Sequence, residues 1–466
     1  MRRLRNFLAA TLAIALVATP AAQAEEGRAT VAGPIAALDA PGALTRNYPF
    51  FASDRQLALR GYVEQEFFLS GSARPTSTPY ASSVFADGVA TGSPQPYRTR
   101  LLVRRPADGA RFNGIVVVEW SNVSNGFEAD NVWLLAQDHL IRAGYAWVGV
   151  SAKGFGGVEA LRAWSPRRYG DLHIANGGRM TAEPLALDIF RQATHAVRTD
   201  PGGRLLGGKS AKILIGAGQS QGALWLTSYI NGGWASDASL DGVLLLSATG
   251  AQLRPDTPLA VLRIVPEGDV RGGDAERRPS DGPRFRQWEI AGASHVDRAL
   301  RRSREPVQLR DLGASVQANL APQCLVPTIG TETPSNFVLA AAIDALARWV
   351  TAGSPPPLSP RLHRRTNDSG HLELERDADG LALGGIRLPD VAVPVGANVG
   401  MNSGAPGCQS QGYFQPYDIE TLRRRYGSPQ HYAQAVEENV QANVRGGFIL
   451  RDDGDRIIAD ARQLTW

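Results

Sequence analysis

Apolar strand-like runs and helical repeats of apolar residues alternate through the middle of the sequence. The run Gly114–Trp120 is continuous and rich in β-branched residues, which is typical of a strand buried on both faces. Apolar residues then recur at helical spacing from Val132 to Ala143, and Gly144 is expected to end that helix. Further strands are predicted at Tyr97–Val103, Tyr145–Val150, Lys212–Ile215, Gly242–Leu246, Leu259–Ile264 and Phe285–Ile290, and further helices at Leu185–Arg198 and from Ala223. This alternation predicts an α/β fold, in which helices cover both faces of a mostly parallel central sheet.

The two ends of the chain have a different pattern. The N-terminal part is rich in Gly, Pro, Ser and Thr and carries one strand candidate near Gly61–Leu69. The run Gly353–Pro357 predicts a boundary, and a helix candidate follows much later at His431–Val444. We therefore expect additions at both ends that pack on one core. The predicted division is an N-terminal extension at residues 25–95, an α/β core at 96–352 and a C-terminal region at 353–466.

The first residues have the three features of a secretory signal peptide. Met1–Arg5 is basic, Phe7–Val17 is apolar but short for a membrane span, and Ala22–Ala24 is a small-x-small cleavage site. We therefore expect residues 1–24 to be removed and the mature protein to be exported, to the periplasm or to the extracellular space. The alternative is an ordinary N-terminal helix. No stretch after residue 24 is long and apolar enough to predict an integral membrane segment.

Composition and charge exclude several classes of protein. The chain has 466 residues, of which 43% are hydrophobic, so it can bury a large core and is not a disordered chain. Its 50 Gly have no three-residue period, which excludes collagen. The formal net charge of +4 raises the question of a nucleic-acid partner. However, residues 1–24 contain three Arg and no acidic residue, so the expected mature protein carries only +1 and no nucleic-acid partner is predicted.

The chain has two cysteines, Cys324 and Cys408. In an exported protein, which folds where disulfides persist, the pair is expected to form one bridge to the C-terminal region. The alternative is two unpaired buried thiols. The spacing of the two residues fits no metal-binding motif, and the sequence has no His-Glu-x-x-His or similar close cluster. No metal and no other cofactor is therefore predicted.

The most informative motif is the pentapeptide Gly218-Gln219-Ser220-Gln221-Gly222. It follows a predicted strand and opens a predicted helix, as a nucleophile elbow requires. On such a turn the serine backbone is strained and the hydroxyl is exposed. Side chains two positions away on either side would collide with neighbouring backbone, so glycine fits at both 218 and 222. The sequence therefore predicts Ser220 as a catalytic nucleophile.

Two other interpretations use the same glycines. One is a Gly-rich turn that carries a surface serine. The other is a dinucleotide-binding fingerprint that begins at Gly216 and Gly218, but its third glycine would fall at residue 221, which is Gln. The motif also follows three or more predicted strands instead of opening the fold. The nucleophile elbow accounts for more of these features.

A serine nucleophile needs a base and an acid that orients the base. In one recurring chain order, the acid and then the histidine follow the nucleophile, each just after a later strand. Glu267 and Asp269 follow the strand predicted at Leu259–Ile264, and His295 follows the strand at Phe285–Ile290. His295 is therefore the predicted base. Asp269 is the preferred acid because the acid usually lies a few residues beyond its strand, and Glu267 is the alternative that the spacing leaves open.

The other histidines have a different context, since none of them follows a predicted core strand in a loop of small residues. They are His139, His173, His195, His363, His371 and His431. An isolated histidine of this kind is commonly a structural or surface residue. His295 therefore remains the preferred candidate.

An oxyanion hole needs two backbone N–H donors. One is predicted to be the N–H of Gln221, the residue after the nucleophile. The other is expected from the polar loop after Gly114–Trp120, where Asn122 or Val123 is the predicted donor. The same loop is also typical of a turn and helix cap, which is compatible with this role.

Several segments resemble the α/β-hydrolase superfamily and, more narrowly, the exported bacterial "alpha/beta hydrolase domain" proteins. The resemblance covers most of residues 60–466. The segments that carry it are Val118–Val123, Gly218–Gly222, Pro266–Val270, Trp288–His295, Gly384–Pro389, Cys408 and Gly412–Pro416. The glutamine after the nucleophile also resembles cutinase-like esterases, but this local similarity is less specific. The resemblance implies an α/β-hydrolase fold and a serine-esterase type of triad, and it does not specify a substrate.

Together, the motif and the resemblance predict an exported esterase that acts by acyl transfer through Ser220 and His295. Its expected partner is a small-molecule or polymeric ester substrate. An amidase, peptidase or lactonase could use the same three residues. A non-catalytic binding protein on a hydrolase fold is a further alternative, although all three types of triad residue occur in the expected order.

Overall fold

The computed structural model describes residues 29–81, 83–175, 178–200, 202–237, 239–270, 278–314, 321–327 and 330–466. The predicted signal peptide, residues 1–24, lies outside the described residues. The strands are β1 Thr30–Ala32, β2 Tyr62–Ala73, β3 Gln95–Pro106, β4 Ile115–Trp120, β5 Ala146–Val150, β6 Ile213–Gln219, β7 Gly242–Leu246, β8 Ala260–Pro266, β9 Phe285–Ile290, β10 Arg364–Thr366, β11 Leu372–Leu374, β12 Gly396–Val399 and β13 Tyr413–Pro416. The helices are α1 Asn131–Ala143, α2 Glu159–Trp164, α3 Pro166–Tyr169, α4 Ala186–Thr199, α5 Gln221–Asn231, α6 Arg298–Leu312, α7 Ser335–Ala352, α8 Pro389–Ala392, α9 Ile419–Tyr426, α10 Pro429–Arg445 and α11 Arg451–Gln463.

The central sheet joins β1 to β9 in the order β1-β2-β3-β5-β4-β6-β7-β8-β9. The neighbours from β5 through β4 to β9 pair in parallel, whereas β1, β2 and β3 form an antiparallel edge that is joined antiparallel to β5. The predicted α/β fold with a mostly parallel sheet is therefore confirmed. Because parallel strands point the same way, the turns after β4, β6, β8 and β9 meet at one end of the sheet.

Apolar clusters cover both faces of this sheet. On β4, Val116 and Val118 face one cluster, which also contains Phe190 of α4 and Leu226 of α5. The intervening Val117 faces the other cluster, which contains apolar residues of α1, α6 and α7. This alternation is what a strand with two buried faces requires.

The N-terminal extension contributes β1 and β2 to the sheet and is held by buried ion pairs. Glu66 of β2 lies against Arg100 of β3, with the guanidinium Nε 2.6 Å from a carboxylate oxygen. Arg168 donates to the other oxygen of Glu66 at 2.7 Å, and the hydroxyl of Tyr169 donates at 2.8 Å to the oxygen that contacts Arg100. Since both arginine side chains and the carboxylate are buried, removal of one partner would leave an uncompensated charge inside the protein.

The C-terminal region contacts the β9 edge of the sheet through an isolated bridge between Ile290 and Ile386. The backbone N–H of Ile386 donates to the carbonyl of Glu289 at 2.7 Å, and that of Ala291 donates to the carbonyl of Ile386 at 3.1 Å. The indole N–H of Trp288 also donates to the carbonyl of Pro357 at 2.9 Å. These bonds bring the region against the strand that leads into the loop of His295.

Two long helices, α6 and α7, were not predicted from the sequence. The buried face of α6 includes Arg304, Gln308 and Asp311, so its apolar residues do not form a clear helical stripe. Helix α7 is buried on nearly all sides and rich in alanine, and a helix of this kind also has no amphipathic period. Among the described residues, no helix combines the length and hydrophobicity that a bilayer span needs.

Candidate active site

Ser220 lies on the sharp turn between β6 and α5. Its backbone has φ +56° and ψ −118°, a conformation that is strained for any residue with a side chain. Its N–H donates to the carbonyl of Leu246 on the neighbouring β7 at 2.8 Å, which holds the turn against the sheet. Although Ser220 precedes the first residue of α5, its hydroxyl does not cap the helix. The Ser220 hydroxyl therefore makes no hydrogen bond to the backbone N–H groups at the start of α5.

The glycines on either side of Ser220 have the close contacts that the motif predicts. A Cβ on Gly218 would lie 2.6 Å from the carbonyl carbon of Gly222, and a Cβ on Gly222 would lie 2.4 Å from the backbone oxygen of Trp120. No side-chain carbon can occupy either position without movement of the backbone. The turn therefore requires glycine at both positions.

His295 and Asp269 face each other across the turns that follow β9 and β8. The Nδ1 of His295 lies 2.7 Å from a carboxylate oxygen of Asp269, and the two side chains are 19% and 9% exposed. The other carboxylate oxygen of Asp269 is buried and has no hydrogen-bond partner among the described residues. The structure thus places the predicted base and the preferred acid in direct contact.

Glu267, the alternative acid, has other partners. One of its oxygens accepts the N–H of Gly292 at 2.7 Å, and the other accepts the N–H of Gly400 at 3.1 Å and Nη2 of Arg376 at 2.8 Å. The side chain is fully buried. Both carboxylate oxygens are therefore occupied by backbone and by an arginine from the C-terminal region, and His295 is not among these partners.

Gln219, which is not among the residues predicted from the sequence, contacts the second ring nitrogen of His295. The side-chain nitrogen of Gln219 lies 3.3 Å from Nε2 of His295. On its other side, the side-chain oxygen of Gln219 accepts from Asn131 Nδ2 at 2.9 Å and from Asn122 Nδ2 at 3.4 Å. The only sequence signal for this residue is its position inside the pentapeptide, where it is the last residue of β6.

The structure separates the two candidates for the second oxyanion-hole donor. The backbone N–H of Asn122 donates to the carbonyl of Ala129 at 3.1 Å, and its side chain donates to the carbonyl of Gln219 at 3.0 Å. The N–H of Val123 instead donates to the side-chain oxygen of Gln221 at 3.2 Å. The backbone N–H of Gln221 is at the first position of α5, where a helix offers no internal acceptor.

A buried lysine, Lys153, completes the polar surroundings of Gln221 and was also missed. Its Nζ donates to the same side-chain oxygen of Gln221 that accepts from Val123. Burial lowers the pKa of Lys153 to about 7, against the opposing influence of Glu183 and Glu128. Burial likewise raises the pKa of Glu183 to about 7, although the N–H groups of Gly154 and Phe155 donate to it. A sequence signal for Lys153 is its place three residues after the end of β5, in a chain with only three lysines.

A second histidine and aspartate also pair, but away from the nucleophile motif. His139 of α1 lies 2.8 Å from the carboxylate of Asp344 on α7, and the hydroxyl of Tyr145 donates to the same oxygen at 2.7 Å. This pair links two helices on one face of the sheet. Among the described residues, no three His, Cys, Asp or Glu side chains form a group that could hold a metal ion.

The predicted bridge partners lie near the loop of His295. Cys324 and Cys408 form a disulfide with Cα atoms 5.5 Å apart. Close to the second cysteine, the carbonyl of Ser410 accepts the N–H of Val296, the residue after His295, at 2.8 Å. The disulfide-bonded segment therefore supports the histidine loop from the C-terminal side.

A family model for the alpha/beta hydrolase domain matches residues 31–459. The chain belongs to this family, and the resemblance seen in the sequence is confirmed. Solved structures that are similar to it include a serine hydrolase without a lid from Xanthomonas campestris, at 15% identity over 52% of this chain and 93% of that one, with a TM-score of 0.30. No curated protein matches the sequence.

Two esterases are also among the similar structures. One is a cold-adapted esterase from an Arctic intertidal metagenomic library, at 14% identity over 54% of this chain and 95% of that one, with a TM-score of 0.29. The other is the esterase Est22, at 12% identity over 44% of this chain, with a TM-score of 0.28. The match spans 64% of Est22, which is less than two thirds of its length.

Proposed function

We propose that this chain is a serine hydrolase that cleaves carboxylic esters through an acyl-enzyme. The observation that carries the proposal is a strained serine, with its hydroxyl not used as a helix cap, at the same end of the sheet as a histidine paired with a carboxylate at 2.7 Å. In this proposal Ser220 is the nucleophile, His295 is the general base and Asp269 is the acid that orients it. The family supports a hydrolase, and the geometry supports this set of residues.

The proposed reaction has two steps. In the first, Ser220 Oγ attacks the ester carbonyl while its proton passes to Nε2 of His295, and the C–O bond to the alcohol breaks as His295 returns the proton to that oxygen. In the second, His295 takes a proton from water, the resulting hydroxide equivalent attacks the acyl-enzyme, and the proton returns to Ser220 Oγ. The net reaction consumes one ester and one water and yields one carboxylic acid and one alcohol.

The negative charge that develops on the carbonyl oxygen needs two donors, which we assign to the backbone N–H groups of Gln221 and Val123. The backbone N–H of Asn122 already donates to the carbonyl of Ala129, so Asn122 is the less favoured candidate for the second oxyanion-hole donor. The side-chain oxygen of Gln221 accepts from Val123 at 3.2 Å and would have to release this N–H when a substrate carbonyl arrives. Lys153 donates to the same side-chain oxygen and so competes with Val123 for it.

The test is a panel of esters with varied acyl and alcohol groups, assayed with wild type and Ser220→Ala. We expect wild type to hydrolyse part of the panel and to react with a fluorophosphonate probe, and Ser220→Ala to do neither while its circular dichroism is unchanged. The matched control is Ser236→Ala, since Ser236 is exposed and its hydroxyl donates to a carbonyl in its own turn. Retained hydrolysis in Ser220→Ala would overturn the proposal, and cleavage of matched amides alone would overturn its ester part.

We also propose that the mature protein is exported. The basic, apolar and small-residue segments within residues 1–24 support this, and the disulfide is compatible with an oxidising compartment. Expression of the full chain, followed by cell fractionation and N-terminal sequencing, should yield a protein that begins at Glu25. A cytoplasmic product that keeps Met1 would contradict the proposal, and periplasmic and extracellular recovery would both agree with it.

A further inference from the structure

Gln219 is the last residue of β6, and its side chain lies against the proposed catalytic histidine with a fixed orientation. Its side chain is buried, and its oxygen accepts from Asn131 Nδ2 at 2.9 Å and from Asn122 Nδ2 at 3.4 Å. Both asparagine nitrogens are donors only, so they can face the oxygen of the Gln219 amide but not its NH₂ group. The NH₂ group must therefore point the other way, towards His295.

The NH₂ group of Gln219 has two acceptors on His295. It lies 3.3 Å from the ring Nε2 and 3.4 Å from the backbone oxygen of the same residue. The opposite ring nitrogen, Nδ1, lies 2.7 Å from a carboxylate oxygen of Asp269, which can only accept. One hydrogen-bond pattern satisfies all of these groups, in which the proton is on Nδ1 and the Nε2 lone pair accepts from Gln219.

We propose that Gln219 is a positioning residue that holds resting His295 in the neutral form with its proton on Nδ1. The proposal rests on the role of His295 as the general base and adds a residue to that role. A proton on Nε2 would face the NH₂ group of Gln219, so both the other tautomer and the imidazolium are disfavoured until Ser220 and substrate engage the ring. The backbone oxygen of His295 remains as an acceptor for Gln219 when Nε2 takes up the serine proton.

The charged groups around this contact are few. Among the described residues, the carboxylate that faces the ring is Asp269. Glu267, on the same turn, is paired with Arg376 and two backbone N–H groups. Asn131 and Asn122, which fix the amide, are neutral. A charge introduced at residue 219 would therefore act on the ring at short range and through a buried path.

The first test measures the protonation of the two ring nitrogens of His295 directly and does not require catalytic turnover. Nitrogen-15 imidazole spectra of full-length mature enzyme are recorded from pH 5 to 9 for Ser220→Ala alone and with Gln219→Glu added, and His295→Gln assigns the signal. We expect the single variant to have a protonated Nδ1 and a bare Nε2. In the double variant the carboxylate accepts from Nε2, so the imidazolium should persist to higher pH. A proton on Nε2 in the single variant, or identical spectra in both, would overturn the inference.

The second test uses catalysis. Gln219→Leu should lower kcat about tenfold, the size of one lost buried hydrogen bond, and leave KM within about twofold. Gln219→Glu should move the acid limb of kcat/KM to higher pH by about one unit or more. Asn131→Leu, which frees the amide to rotate, should reproduce part of the Gln219→Leu effect and add little to it in the double variant.

The matched control is Gln308→Leu, which removes a buried glutamine amide from α6. It should leave kcat, KM and the pH profile near wild type. A Gln219→Leu enzyme whose kcat, KM and acid limb equal those of wild type would contradict the inference. If Ser220→Ala keeps full esterase activity, the proposed function fails instead, and the nitrogen-15 spectra still decide the role of Gln219.

Discussion

Two acidic residues of one turn, Glu267 and Asp269, are separated by a single glycine and have different surroundings. Glu267 is fully buried, and its oxygens accept from two backbone N–H groups and from Arg376. Asp269 directs one oxygen to His295 at 2.7 Å, and its other oxygen has no partner among the described residues. The two carboxylates follow the same strand, yet one is enclosed by backbone and the other faces the histidine.

The difference separates a structural carboxylate from a proposed catalytic one. Glu267 has its charge compensated at rest, since it joins the turn after β8 to the C-terminal region through Arg376 and Gly400. The principal partner of Asp269 is a titratable ring, so its interaction is strongest when that ring becomes charged during the reaction. We therefore expect changes at Asp269 to affect the rate and changes at Glu267 to affect stability.

The largest effect is expected for Asp269→Asn. An amide in place of the carboxylate can present its NH₂ group to Nδ1 and thereby favour the wrong tautomer of His295, a change that costs about 10⁴-fold in kcat in a Ser-His-Asp triad. The measurement is kcat on the best ester of the panel, with the urea midpoint as a check on folding. Asp171→Asn, an exposed aspartate whose side chain makes no described ion pair, is the control. A decrease of less than about tenfold would mean that Asp269 does not orient the base.

The next largest effect is an expected loss of stability in the C-terminal region, to which Glu267 is joined. The double variant Cys324→Ser with Cys408→Ser removes the disulfide of that region. The two cysteines are 84 residues apart, and closing a loop of that size can stabilise a fold by about 4 kcal/mol. The free energy of unfolding should fall by up to that amount, while kcat of the folded enzyme at 25 °C changes far less than in Asp269→Asn. An unchanged urea midpoint would show that the bridge does not stabilise this region.

Glu267→Gln should give a smaller loss of stability. The variant leaves Arg376 without its partner and directs an NH₂ group at a backbone N–H, and an unsatisfied buried group of this kind costs about 1 to 3 kcal/mol. Unfolding in urea measures the loss, and Glu373→Gln, at a half-exposed carboxylate paired with Arg365, provides the matched control. If Glu267→Gln instead retains stability and loses activity, the roles of the two acids are exchanged.

The sequence predicted the parts of this site that depend on chain order and on local turns. Ser220 could be proposed because a nucleophile elbow requires glycine at fixed positions, and His295 because its loop follows a core strand. The spacing of Glu267 and Asp269 could not separate them, since their difference arises from Arg376 and Gly400, more than a hundred residues away. Gln219 and Lys153 were missed for a similar reason, because each acts through a contact with a distant segment.

The parts of the fold that the sequence predicted were those with a clear period. The β-branched run of β4 and the helical spacing of α1 both mark elements that face a cluster of apolar side chains. Helix α6 has a polar buried face and α7 has an apolar surface nearly all round, so neither has the contrast that a periodicity argument needs. The pairing of β2 with the core is accompanied by buried ion pairs between residues that are distant in sequence, which no local pattern records.

The last prediction extends the comparison to a buried amine, Lys153, which has no acidic partner in hydrogen-bond contact among the described residues. Its pKa is lowered by burial to about 7 from an ordinary value of 10.5, so between these values the unfolded chain binds more protons than the folded one. The free energy of unfolding of wild type should therefore rise from pH 7 towards pH 9, below the pH at which the tyrosines of the unfolded chain ionise. Glu183, with its pKa raised to about 7, is ionised in both states over most of that range and contributes little slope. Lys153→Met should lack this rise, whereas Lys209→Met, at an exposed lysine, should keep it. Urea unfolding at pH 7, 8 and 9 compares the three proteins. Parallel dependence on pH for Lys153→Met and wild type would mean that Lys153 is not a desolvated amine beside the proposed oxyanion hole.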